Sequence, residues 1–396
     1  MIDLANAKLL VVKMGSALVA DGSVPRAAWM DGVASDVAAA RARGTAVILV
    51  SSGAIALARQ TLGLTSGRLR LEEKQAAAAV GQIRLAQAWA TALSAHGLVA
   101  AQLLLTLEDT EDRRRYLNAR ATLATLLGLG CVPVINENDS IATAEIRFGD
   151  NDRLAARVAE MVQADLLLLL SDIDGLYSAD PRTDPAATHI PTVFAITPEV
   201  EAMGGEPPPG YSSGGMRTKL VAARIATQAG CAMAIALGSV ANPIAALAAG
   251  ARCTWFLAAP EGRTARKRWI AGSLAPLGTL VVDAGAARAL LAGRSLLPAG
   301  ISSVVGGFER GDPVLVTGPD GRALARGLTA YAADDLRTIV GHRSDEIEAL
   351  LGWRGRDEAI HRDDLVLTAM TENTAKPALD PAGPIISEDM RHDRRG

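Results

Sequence analysis

Residues 166–172 read LLLLLSD, five leucines running straight into a serine and an aspartate. A strand with one face in water would alternate apolar and polar residues. This run does not alternate, so it is expected to be buried on both faces, as strands of a parallel sheet are. Four other short runs share that character: residues 8–13 (KLLVVK), 46–51 (AVILVS), 132–136 (VPVIN) and 232–237 (AMAIAL). Longer amphipathic stretches lie between them, and helices are predicted over residues 25–43, 71–96, 109–127, 152–163 and 216–228. Strand and helix in alternation imply right-handed crossovers and an α/β fold, an open parallel-rich sheet sandwiched by helices. Ligands of such sheets bind at the carboxyl ends of the strands.

Residues 262–276 are basic (Arg263, Arg266, Lys267, Arg268) and without a period, which marks a boundary. Beyond it, short strands are predicted over residues 278–282, 302–305, 313–317 and 323–328, punctuated by Gly306-Gly307, Gly311 and Pro319-Asp320-Gly321. The expected organisation is a first domain over residues 1–262, a linker over 263–276 and a small, mostly β domain over 277–366. Residues 367–396 are expected to form a disordered tail, polar from about Glu372 and carrying Pro377, Pro381 and Pro384.

The 396 residues suit two or three domains, and with 49% hydrophobic residues they can bury a sizeable core. Aromatics at 3% disfavour base-stacking platforms, and 40 basic against 43 acidic residues disfavour a dedicated nucleic-acid binder. Cys131, Cys231 and Cys253 lie far apart without CxxC spacing and fit buried small hydrophobes better than a disulfide or zinc framework. Asp3 and Lys8 interrupt the first apolar stretch, so no signal peptide is expected; no run is long enough to span a bilayer, and a cytoplasmic protein is the expectation. Only six of the basic residues are lysines. Lys13 and Lys219 both sit in glycine-containing motifs, which singles them out.

Five clusters, the third made of two nearby stretches, lie at predicted strand ends or helix starts. Lys13-Met14-Gly15-Ser16 puts an ammonium beside turn N–H groups, an arrangement suited to phosphate; alone, an ordinary turn with a surface lysine accounts for it slightly better. Ser51-Ser52-Gly53-Ala54 offers donors, or simple helix capping. Asn136-Glu137-Asn138-Asp139 follows VPVI directly, and Asp150-Asn151-Asp152 opens a helix, where capping explains one of the three but not all. Acids gathered near a phosphate site need cations between them, from an amino-acid ammonium, a lysine or Mg2+. Ser171-Asp172 closes the leucine strand. Ser213-Gly214-Gly215-Met216-Arg217-Thr218-Lys219 places glycines before a helix with a lysine in its first turn, without the GxxxxGK[ST] spacing of a P-loop. Each cluster is weak alone, and a flexible or solvated loop explains several of them. Together, on one sheet edge, they point to phosphoryl transfer, which rests on positioning and charge neutralisation. The five histidines lie outside all these motifs.

The sequence resembles the glutamate 5-kinases of the amino-acid kinase family from about residue 7 to 366. The resemblance is carried by VVKMGS, VSSGAIA (50–56), KQAAAAVGQ (74–82), YLNAR (116–120), VPVINENDSIATAEI (132–146), FGDND, LYSADPR (176–182) and SGGMRTK. It implies transfer of the γ-phosphoryl group of ATP, with Mg2+, to the γ-carboxylate of L-glutamate, giving L-glutamyl 5-phosphate in the first step of proline biosynthesis. By that resemblance Lys13 contacts the transferred group, Lys219 neutralises nucleotide phosphates and Asp152 holds both lysines. Ser52, Asp139 and Asn151 match glutamate-binding positions, and Asp139 suits the α-ammonium. Ser171, Asp172 and residues 213–219 (Ser213, Gly214, Gly215, Met216, Arg217, Thr218 and Lys219) match the ATP site. No metal ligand is assigned. Feedback inhibition by proline and homo-oligomerisation are family traits.

Residues of about 277–355 resemble the PUA domain of RNA-modifying enzymes, through LLPAGISSVVGGFERGDPV (296–314). RNA binding is open to such a module but is not expected here, because its arginines are offset by acids. Two alternatives stay in view: a related carboxylate kinase such as an N-acetylglutamate kinase, whose acylated substrate gives Asp139 no charge to pair with, and an RNA-linked protein whose kinase domain has lost activity, against which the intact Lys13, Asp152 and Lys219 argue. Met14, Ser171 and Ser213 stand where leucine, threonine and threonine are common in the family, and the proline-rich stretch 204–211 is atypical.

Overall fold

The computed structural model describes residues 4–64, 67, 69–142, 150–205, 215–259 and 275–368. Ser213 and Gly214, most of the expected linker, the proline-rich stretch from residue 206 on and residues 369–396 of the expected tail lie outside them. The described residues form two compact units.

The first unit is built on an eight-stranded sheet. Its strands in chain order are β1 (Leu9–Met14), β2 (Ala46–Ser51), β3 (Ala100–Leu105), β4 (Val132–Glu137), β5 (Leu166–Ser171), β6 (Thr192–Val193), β7 (Ala232–Leu237) and β8 (Cys253–Phe256). Their spatial order is β6-β8-β7-β5-β1-β2-β4-β3. All neighbouring pairs are parallel except β7 with β8. The order reverses around β1, which pairs with β2 on one side and β5 on the other.

The leucine run shows why the sheet is covered on both faces. Leu166, Leu168 and Leu170 belong to one apolar cluster, while Leu167 and Leu169 belong to another. The period of two sends successive side chains to opposite faces, and each face meets helices. On one side lie Met30 and Val37 of α1 (Ala27–Ala42) and Leu85 and Trp89 of α3 (Leu71–Ser94). On the other lie Leu123 of α4 (Arg113–Gly128), Leu154 of α5 (Asp150–Val162) and Leu220 of α6 (Met216–Gln228). Fully burying one leucine is worth about 1.5–3 kcal/mol. A polar residue within this run would therefore lose that gain and leave a group without water.

Two differences from the sequence reading have local causes. β3 is an edge strand whose residues are mostly half-buried, so it lacks the two-faced apolar pattern. The helix expected over 109–127 is interrupted at Asp112, an extended residue whose side chain accepts from the Arg115 N–H and starts α4 afresh. In addition, α5 begins at Asp150, so Asn151 and Asp152 lie in its first turn.

Two glycines set the turn after β2. Gly53 has φ 118°, a left-handed conformation, and leads into the short helix α2 (Ala54–Arg59). Gly81 of α3 lies so close to α2 that a Cβ there would run into the Ala54 carbonyl.

The second unit is a five-stranded sheet over its own core. Its strands are β9 (Gly278–Val282), β10 (Ile301–Gly306), β11 (Pro313–Thr317), β12 (Ala323–Leu328) and β13 (Leu365–Leu367), in the order β10-β9-β11-β12-β13. Leu280, Val314, Val316, Ala325 and Leu336 lie in that core. Among the described residues no helix is long and apolar enough to cross a membrane.

Candidate active site

The register sets the carboxyl ends of four strands side by side. Lys13, near the end of β1, lies opposite Val50 of β2 and Leu169 of β5. Ser51 ends β2, Asn136 and Glu137 end β4, and Ser171 ends β5. Lys13 is two residues beyond Val11 and so shares its face, the one covered by α5 and α6.

Those helices bring the other charges. Asp152 in the first turn of α5 is fully buried, at 0% exposure, and Lys219 in the first turn of α6 is 7% exposed. Asp152 Oδ1 lies 2.5 Å from Lys13 Nζ, and Asp152 Oδ2 lies 3.1 Å from Lys219 Nζ. The Thr218 hydroxyl donates to Oδ2 at 2.8 Å. Burial would raise the Asp152 carboxyl; the charges of Lys13 and Lys219 outweigh it and hold the group at about 2. Burial also pushes the Lys13 ammonium below its ordinary value, which the Asp152 charge opposes. One carboxylate thus bridges two ammoniums and leaves an excess positive charge at the strand ends. Such a charge suits phosphoryl oxygens.

Beside this triad runs a set of neutral groups. Asn151 Nδ2 donates to Ser52 Oγ at 2.9 Å and to Asn136 Oδ1 at 3.2 Å. Asn136 Nδ2 donates to Gln82 Oε1 of α3 at 2.9 Å. Asn151 Oδ1 is buried and has no hydrogen-bond partner among the described residues. Asp139, in the loop after β4, is buried. At the β5 end, Ser171 Oγ donates to Asp172 Oδ1 at 3.1 Å, and Arg182 Nη2 holds Asp172 Oδ2 at 2.7 Å.

The structure therefore brings together Lys13, Asp152, Lys219 and Thr218, and separately Ser52 with Asn151. Ser171 ends the strand next to β1, and Asp172 follows it directly. Gly215 precedes α6 in extended conformation, Met216 packs on the core of its face and Arg217 is exposed. Ser213 and Gly214 lie outside the described residues. Thr218, expected at the nucleotide, is bonded to Asp152. Two participants were not singled out as site residues from sequence, Asn136 and Gln82. Asn136 stood within a polar cluster. Gln82 carried a fainter signal, a polar residue directly after Gly81 in an alanine-rich helix that packs closely. Among the described residues no three His, Cys, Asp or Glu side chains gather as a metal-holding group.

Residues 8–236 match the amino acid kinase family and residues 278–351 match the PUA domain. The chain is similar to the glutamate 5-kinase of Paramagnetospirillum magneticum, with 64% identity over 92% of this chain and 99% of that one. It is 62% identical to the glutamate 5-kinase of Paracoccus denitrificans, over 92% of this chain and 98% of that one. It is 63% identical to the glutamate 5-kinase of Gluconobacter oxydans, over 92% and 97%.

Proposed function

This chain belongs to the amino acid kinase family, and on that premise we propose that it is an ATP-dependent glutamate 5-kinase, converting L-glutamate to L-glutamyl 5-phosphate in the first step of proline biosynthesis. The observation that carries the reading is the buried bridge of Lys13, Asp152 and Lys219 at the strand carboxyl ends. Its excess positive charge supports the chemistry, and the relatives' names supply the substrate.

In this reading a γ-carboxylate oxygen of glutamate attacks the γ-phosphorus of ATP. An O–P bond forms, the bond to the β,γ-bridging oxygen breaks, and ADP leaves with the electron pair. The carboxylate is already ionised at neutral pH, so no general base is required. Lys13 contacts the transferred group, Lys219 offsets charge on the nucleotide phosphates, and Asp152 keeps both ammoniums in place without touching substrate. Ser52, Asp139 and Asn151 hold glutamate. Glutamate's one donor group is its α-ammonium, and the partnerless Asn151 Oδ1 and the Asp139 carboxylate are acceptors suited to it. Ser171, Asp172 and residues 213–219 receive ATP. Mg2+ travels on the nucleotide's phosphates, and no protein ligand is assigned to it.

The same reading gives residues 1–262 to catalysis, 263–276 to a linker and 277–366 to a PUA-like module that is not expected to bind RNA; the tail expected from residue 367 starts later, because Leu367 pairs with Ala325 in β13. It includes feedback inhibition by proline, a homo-oligomer and a cytoplasmic location.

The test is ATP consumption with Mg2+ and hydroxylamine, offering L-glutamate, N-acetyl-L-glutamate and L-aspartate in turn. A hydroxamate formed with L-glutamate alone is the expected result. Turnover of the acetylated substrate alone would move the function to a related carboxylate kinase, and no turnover by folded, ATP-binding protein would sink the reading.

A further inference from the structure

Helix α3 carries Gln75 and Gln82, seven residues apart and hence on one face. Gln75 Nε2 donates to the Ala142 carbonyl at 3.1 Å, in the stretch that follows Asp139. Gln82 Oε1 accepts from Asn136 Nδ2 at 2.9 Å. Gly81, the residue before Gln82, sits so close to α2 that a Cβ would run into the Ala54 carbonyl, so this part of α3 is seated directly on α2. This face of α3 is therefore turned to the loop and strand end where glutamate is proposed to bind, although neither glutamine has yet been given a role toward the substrate.

The relay has a direction. A carboxamide has one donor end and one acceptor end. If Gln82 accepts, Asn136 must face it with Nδ2 and turn its Oδ1 to Asn151. Asn151 must then point Nδ2 at Asn136 and Ser52, which leaves its own Oδ1 as the group without a partner. If the acceptor at residue 82 is removed, Asn136 can rotate. Asn151 can then present N–H groups where an acceptor stood, which repels an ammonium.

We propose that Gln82 is a positioning residue that sets the polarity of the Asn136–Asn151 relay and so turns the Asn151 carbonyl oxygen toward the α-ammonium of the amino-acid substrate. The inference rests on the glutamate reading above. It adds a determinant that touches no substrate and selects for a free amine.

The test compares Gln82→Met, which fills similar space without an acceptor, with Gln82→Glu, which can only accept. Each is assayed by hydroxamate formation with L-glutamate and with glutarate, the same diacid without its amine. For Gln82→Met, KM for glutamate should rise about tenfold or more, the effect of losing a hydrogen bond to a charged group. Its kcat and its KM for ATP should stay within about twofold, as for loss of a ground-state contact. Its preference for glutamate over glutarate should shrink, and Gln82→Glu should keep that preference. Should the Met variant not fold, Gln82→Ser, too short to reach Asn136, carries the same expectations. An unchanged KM and preference in the Met variant, or a Glu variant no better than Met, would overturn the proposal while leaving the glutamate reading intact. Absence of glutamate turnover in the unsubstituted protein would overturn both.

Discussion

The two units treat charge in opposite ways. At the carboxyl edge of the large sheet, Lys13, Asp152 and Lys219 have side-chain exposures of 8%, 1% and 9%. In the C-terminal unit, Arg322 and Asp320 pair at 85% and 58% exposure, and Arg343 and Asp345 at 79% and 70%. Desolvating an ion costs several kcal/mol, and a buried cluster often stabilises a fold no better than apolar packing would. A pair in water costs little and contributes little. The first arrangement is thus a poor way to hold a sheet together and a good way to hold charge against phosphate. The second is ordinary surface.

The sharpest way to break that contrast is Asp152→Asn, which leaves two ammoniums buried without their counter-charge. A loss of about 3–5 kcal/mol in urea unfolding is expected, together with loss of hydroxamate formation; unchanged stability would mean that the triad is not coupled as described.

Acid offers a subtler probe of the same group. Asp152 has an ordinary value of 3.8 and a folded value of about 2. A depressed carboxyl stabilises the fold fully above the unfolded value and loses that contribution as pH falls through the folded one. The amount is about 2 kcal/mol between roughly pH 4 and pH 2. Urea midpoints across that range should therefore fall more steeply in the unsubstituted protein than in Asp152→Asn, and parallel curves would contradict the assignment.

Next in size is Asp139→Asn, where KM for glutamate should rise about tenfold with a smaller change in kcat, as for a charged contact to the α-ammonium. If KM stays put, Asp139 serves only the loop. Smallest of all is Asp320→Ala in the C-terminal unit, which should move stability by less than about 1 kcal/mol and leave kcat alone. A larger loss would show that the surface of that unit is not the inert counterpart drawn here.

What could be read from sequence follows the same division. Strands β1, β2, β4, β5 and β7 were legible because burial on both faces writes an unbroken apolar run. The edge strand β3, the two-residue β6 and the antiparallel β8 write none, and the break at Asp112 depended on one side chain capping its own helix. Lys13 and Lys219 could be picked out as charges at a strand end and a helix start in a lysine-poor chain, whereas Asp152 was distinguished from its acidic neighbours only by the family resemblance. That one carboxylate bridges both lysines is tertiary geometry. So is the Gln82–Asn136–Asn151 relay, whose members lie 54 and 15 residues apart. Neither pairing is written in the local sequence: the first was implied only by the family resemblance, and of the second only the faint traces at Asn136 and Gln82 were there.

The central claim is that the buried triad serves phosphoryl transfer rather than folding, and Lys219→Ala tests it most directly. Asp152 keeps Lys13 as its partner in this variant, so the fold retains a neutral pair. The expected result is a fall in kcat for glutamyl hydroxamate formation of about 100- to 1000-fold, the scale of a lost transition-state charge contact, with the urea midpoint little changed. A kcat within about threefold of the unsubstituted protein, measured on folded enzyme, would contradict the account.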